Sequence, residues 1–362
     1  MAYTTINKSS EHFNTKLYTG NESTNAITGV GHQPDFVWMK NRDSAYYHGL
    51  YDSVRGTGTS KSLYSNANEA EGTNTGNLNL ASFDSDGFTL GATSSTNIIN
   101  KSSQNHVSWN WKAGTSFTND ASSTGIGTID SAGSFNNDSG FSIVSYTGNN
   151  TSGATLKHGL NTAPAMVIVK NRNRTDNRDW VVYHQKLTSA SYYIYLNSTG
   201  AMAGAYANFW NNTAPNSSVI TLGSGDTTTN GNGDTYIAYC FAEKKGYSKF
   251  GSYTGNGNAD GTFIYTGFSS AFVMVKRIDS TSDWTIFDNK RSTSGGNNVI
   301  DKALYPNGNW AEGTGTAVDF TSTGFKWRVN SSAYNGSGSS YIYMAFAKAP
   351  LVGTNNVPAN AR

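Results

Sequence analysis

Few residues in this sequence are placed to do chemistry together. Glu69 with Glu71, and Asp84 with Asp86, stand two positions apart on short polar segments. A glycosidase needs two carboxyl groups about 5–9 Å apart across the scissile bond. Nothing else supports either pair, so a polysaccharide depolymerase is the weakest functional reading. His12, His32, His48, His106, His158 and His184 form no HExxH or other ligand-spaced cluster. No G-x-S-x-G elbow marks a serine nucleophile. Asp84 and Asp86, and Asp226, Asn230, Asn232 and Asp234, offer the oxygen ligands that calcium takes, but neither segment has an EF-hand's closing glutamate. Turn chemistry explains both. Cys240 is the single cysteine, which excludes an intrachain disulfide, and its setting between Tyr239 and Phe241 reads as a buried, inert thiol. The expectation is a protein that is not an enzyme, with no catalytic residue, metal or cofactor.

The elements that must position any binding residue come from a threefold internal repeat. Tyr18-Thr19-Gly20-Asn21 recurs at Tyr146–Asn149 and Tyr253–Asn256. Each copy continues into an apolar strand ending in a lysine, Lys40, Lys170 or Lys276. A third landmark follows at 47–55, 179–187 and 283–291, and a fourth around Tyr64, Tyr195 and Tyr305. Phe83–Phe88 is mirrored by Phe320–Phe325. Each copy closes on an aromatic strand, at 106–114, 235–243 and 340–348. Landmarks that keep their order and intervals point to duplication rather than biased composition.

Composition agrees with strands and turns. Aromatics make up 13% of the 362 residues, and there are 39 Gly but 6 Pro. Strand formers alternate between turn clusters of Gly, Asn and Ser. The expected fold class is all-β, as three tandem antiparallel β-sandwiches of jelly-roll type. The divisions fall at 1–113, 139–245 and 246–349, with a Gly/Ser/Thr-rich linker at 114–138 and an extended C-terminal arm at 350–362. Each unit is large enough for its own core, so the copies are expected as beads. Copies two and three, joined tightly, should be rigid, with copy one more independent. The strand-end lysines are expected at sandwich rims with their amines in water. The glycines of the Tyr-Thr-Gly-Asn motif are expected at positive φ.

Residues that break the repeat are the better binding candidates, because core logic does not demand them. Trp210 and Asn211, and Trp310, sit in polar, Gly- or Asn-rich settings. Tyr46, Tyr47 and His48 replace the Asp-Trp pair of the other copies. An exposed aromatic beside amides holds a sugar by stacking and hydrogen bonds. Charged residues are 14% and the net charge is +2, which provides no basic footprint for nucleic acid. The N-terminal residues carry no signal-peptide pattern, and no apolar run reaches the length of a membrane span, so neither export nor membrane insertion is expected.

The Tyr-Thr-Gly-Asn copies, with HGLNTAPAMVIVKNR, DWVVYH, WNNTAP, DTYIAYCFAE and YIYMAFAKAP, resemble a repeat-built family of tailed-bacteriophage proteins common in marine and cyanobacterial viruses. These are virion structural or tail-fibre proteins with concanavalin-like or SPRY-like jelly-roll domains. The resemblance implies a virion location rather than a mechanism. The leading expectation built on it is a virion surface protein made in the host cytoplasm, a homo-oligomer in the particle with other virion proteins as partners, that contacts a host-surface glycan. The resemblance brings no catalytic residues. The alternative it leaves is a capsid-decorating or tail-scaffold protein with a purely structural role.

Overall fold

The computed structural model describes residues 4–350 apart from 74, 94, 95 and 177, together with Val352 and Asn355. The expected arm at 350–362 therefore lies almost wholly outside the described residues. Within them the chain is all-β and antiparallel, built from paired sheets.

Each copy contributes an inner sheet of the same strand order: opening, closing, lysine-bearing, then edge strand. In copy one these are Phe13–Thr19, Asn105–Trp111, Phe36–Asn41 and Gly49–Asp52. In copy two they are Phe141–Thr147, Thr235–Phe241, Met166–Asn171 and Val181–His184. In copy three they are Ser248–Thr254, Ser340–Pro350, Phe268–Arg277 and Trp284–Asp288. The registers also correspond: Tyr18 faces His106, Tyr146 faces Tyr236, and Tyr253 faces Tyr341. A second, outer sheet covers each inner one.

Side-chain alternation sends every lysine strand into two cores at once. Phe36 and Trp38, Met166 and Ile168, and Phe272 and Met274 enter one core common to all three copies. Their alternates Val37 and Met39, Val167 and Val169, and Val273 and Val275 enter three separate cores beneath the outer sheets. This is why these strands are apolar on both faces. At the centre the equivalent closing-strand rings Trp111, Phe241 and Phe346 touch one another edge to face, with centroids 6.2, 5.8 and 6.2 Å apart. Three equivalent residues in mutual contact mark a pseudo-threefold axis.

The beads expectation is thereby corrected. Each inner sheet has an apolar face that its own copy cannot cover, and the three faces cover one another. Copy one is no more independent than the others, since it supplies Trp38, Trp109 and Trp111 to the shared core. The expected linker is also corrected. Its Thr115–Asn119 and Ser131–Asn136 pair as strands and extend the second inner sheet beyond Phe141–Thr147. Phe117, Ile129 and Phe135 anchor the insertion on the second outer core, which low-complexity composition conceals.

The repeated motif has a definite task. Its tyrosine donates to a carbonyl of the loop before the closing strand: Tyr18 to Ile99, Tyr146 to Thr229, Tyr253 to Tyr334, each at 2.7 Å. Its glycine does not have the positive φ expected; Gly20, Gly148 and Gly255 are absent from the left-handed positions. A Cβ there would instead stand 2.3–2.4 Å from a backbone carbonyl oxygen of that loop. Close approach, not handedness, selects glycine.

Candidate binding surface

The six candidate residues are divided by the fold. Trp210 is 1% exposed, in the second outer core and edge-on to Tyr183. Its indole has no face to offer a ligand, which corrects the sequence expectation; the polar neighbours in sequence turn away around a short helix, Ala207–Trp210. Asn211 ends that helix in the left-handed region and accepts from Ser152 Oγ at 2.9 Å. Tyr46 and Tyr47 are half-buried against the first outer core, with Tyr47 edge-on to Tyr64.

His48 is completely buried and is likewise corrected as a ligand residue. Its Nδ1 accepts from Trp38 Nε1 at 2.8 Å, and since an indole N–H can only donate, the imidazole proton sits on Nε2. That Nε2 donates to the carbonyl of Tyr305 in copy three at 3.0 Å. Burial, then nearby Lys40, holds its pKa well below the ordinary histidine value, so the ring is neutral. In the other copies the same position is tryptophan. Trp180 Nε1 donates to Tyr64 of copy one at 2.8 Å, and Trp284 Nε1 to Tyr195 of copy two at 2.9 Å. The three bonds run cyclically round the axis. His48 breaks the repeat in sequence and keeps it in chemistry, because Trp38 fills the volume where copies two and three have Ile168 and Met274.

The seams repeat further. Glu71 N donates to Arg172 O, Glu312 N to Arg42 O, and Met202 N to Ile278 O, at 2.8–2.9 Å. At two seams the side chains form partly buried ionic triads, each around a fully buried guanidinium, Arg55 or Arg291. Glu71 meets Arg55 and Arg172 at 3.1 and 2.6 Å, and Glu312 meets Arg42 and Arg291 at 2.8 and 2.9 Å. At the third the counterparts are Leu187 and Ile278, in the shared core, and Met202, packed against it. Glu71 is thus committed to two guanidinium groups and not to a catalytic pair. The strand-end lysines, expected in water, are fully buried in the same seams. Lys170 donates to Asn68 O and Lys276 to Thr199 O, both at 3.0 Å and both in the neighbouring copy. Burial lowers Lys40 and Lys170 to about 7 and Lys276 to about 8.

Trp310 is different. It is 48% exposed, on the loop that carries Tyr305 and Glu312, and its ring stands edge-on to Tyr305 with centroids 5.5 Å apart. The loop is clamped to copy one by His48, by Ser65 Oγ donating to Pro306 O at 2.8 Å, and by Arg42. An open, apolar ring face is therefore held on a rigid seam. The aligned positions are Glu69 in copy one and Gly200 in copy two, so this aromatic occurs at one seam of three.

One surface cleft gathers the titratable residues Glu11, His32, Asp35 and Lys112. Asp35 accepts from Ser53 Oγ and Ala113 N at 2.7 and 2.9 Å, and burial raises its pKa. His32 Nδ1 lies 2.9 Å from Ser10 O. These contacts tie loops together. The segments considered for calcium are likewise engaged: Asp86 accepts from Gly29 and Gly31 N–H, and Asp226 from Tyr206 and Thr228.

No curated protein and no solved structure matches the chain. Residues 8–350 match the model of a family described as a domain of unknown function, DUF7483, and the chain belongs to that family.

Proposed function

We propose that this member of DUF7483 is a non-enzymatic virion surface protein of a tailed bacteriophage, a tail-fibre or appendage component that contacts host-surface glycans. The observation that carries the reading is Trp310, an open indole on a loop fixed by contacts from two copies. A ring that is already ordered loses little entropy when a sugar stacks on it. Each contact is weak, and several copies per particle multiply it. The resemblance of the repeat motifs to phage proteins supports the location.

Glycan-array and whole-cell binding of the purified chain test this. Wild type binds and Trp310→Ala, an exposed change, loses about tenfold or more, the scale of one lost stacking contact. Equal binding by both, or none by either, overturns it. The alternative is a decorating or scaffold role. Density forming a lattice on the capsid of an intact particle supports that role, and density at a projecting tip supports attachment.

A further inference from the structure

The three outer sheets differ at one edge. In copy two the outer strand Ala154–Lys157 pairs with Val219–Leu222 on one side. On the other side the insertion covers it. Thr128 and Ile129 both donate their N–H to Thr155 O, at 2.7 and 3.0 Å. Thr155 N donates to Thr128 Oγ1 at 2.9 Å, and Ser131 Oγ to Lys157 O at 3.0 Å. Ile129 bridges Leu156 in the parallel sense.

The counterpart in copy three is Phe263–Tyr265, the end strand of its sheet, paired on one side with Gly324–Trp327. Ile264 takes the place of Leu156; both are buried. Trp327 N donates to Thr262 O and Thr266 N to Thr323 O. That phase turns the N–H and C=O of Ile264 toward Phe325, and those of Phe263 and Tyr265 toward the open edge. These are the positions of Thr155 and Lys157, the two residues served by the insertion in copy two. The side chains are open as well: Phe263 is 47% and Tyr265 61% exposed. Among the described residues no strand pairs with this edge, and a strand edge carrying two exposed aromatics is a template for pairing.

We propose that Phe263–Tyr265 receives an extended polypeptide strand from another protein, laid parallel to it as residues 127–131 lie on copy two. The copy-two edge states the chemistry of the occupant. It has consecutive free N–H groups to give to Phe263 O, hydroxyl side chains beside them, and an apolar residue level with Ile264. This goes beyond the glycan reading and involves a different surface from Trp310.

The probe is a synthetic peptide of residues 125–133, the segment already seated on copy two, added at millimolar concentration to the full-length protein. The readout is amide hydrogen exchange at Phe263 and Tyr265. The expected result is slowing of both by about tenfold or more, with no effect from the same peptide carrying Thr128→Pro, which removes a pairing N–H. Because the variation is in the peptide, folding of the protein is not at issue. Unchanged exchange at both amides, equal protection by the proline peptide, or protection by a soluble bacterial polysaccharide in place of the peptide each overturns the proposal.

Discussion

The fully buried His48 donates from Nε2 to Tyr305 O at 3.0 Å, joining the first copy to the third. Tryptophan makes the same bond at the other two seams. One substitution in sequence is thus compensated by another, Trp38, which lies on the neighbouring strand and points into the same core.

That compensation is testable as a coupling. His48→Ala leaves the Trp38 N–H and the Tyr305 carbonyl unpaired and opens a cavity, a cost of about 2–4 kcal/mol. Trp38→Ile alone empties volume and costs about the same. The double variant Trp38→Ile/His48→Trp rebuilds the arrangement of Ile168 and Trp180 and recovers most of the loss. Denaturant unfolding measures all three; additive losses in the double variant contradict the account.

The ionic triads make a second prediction. Glu71→Met alone takes the carboxylate from Arg172 and leaves Arg55 with Asp52 as its one acidic partner, and destabilises by about 2–3 kcal/mol. Carrying the whole apolar solution across, with Asp52→His, Arg55→Leu, Glu71→Met and Arg172→Ile, restores stability to within about 1 kcal/mol or raises it. His184 and Leu187 already occupy the first two of these positions in copy two. Thermal unfolding of the single and fourfold variants decides; a fourfold variant worse than the single one contradicts it.

Stability should rise with pH from acid into the alkaline range. Burial lowers His32, His106, His158 and His184 to about 4. Between that value and the ordinary 6.5 the unfolded chain binds more protons than the folded one, so acid favours unfolding. The three seam lysines act in the same sense from about 7–8 up to 10.5. Buried tyrosines, raised above 10.0, keep their protons in the fold and reverse the trend above that pH. Calorimetry should find the melting temperature rising from pH 4.5 to 6.5, the upper limit being the unperturbed histidine value. A melting temperature that falls over that interval contradicts the assignment of neutral buried histidines.

The succession of strands along the chain and the all-β class were legible because alternation and turn residues are local signals. The shared core was not, since an apolar face does not say which layer covers it. Phe36 and Val37 look alike in sequence and enter different cores. The lysines were misread because a strand-end amine in water and one bonded to a neighbour's carbonyl share one pattern. Trp210 and Trp310 both stand beside asparagines in sequence, yet only the second stays open. The insertion looked like a linker because its anchors, Phe117, Ile129 and Phe135, are widely spaced among small residues.

Segment-resolved hydrogen exchange in mild denaturant tests the central claim, that three sheets around Trp111, Phe241 and Phe346 form one cooperative body. The prediction is a single opening free energy shared by Asn105–Trp111, Thr235–Phe241 and Ser340–Pro350, lowered in all three together by Trp111→Ala. Three separate opening energies, with Trp111→Ala affecting only residues of the first copy, would show the copies to be independent units and contradict the account.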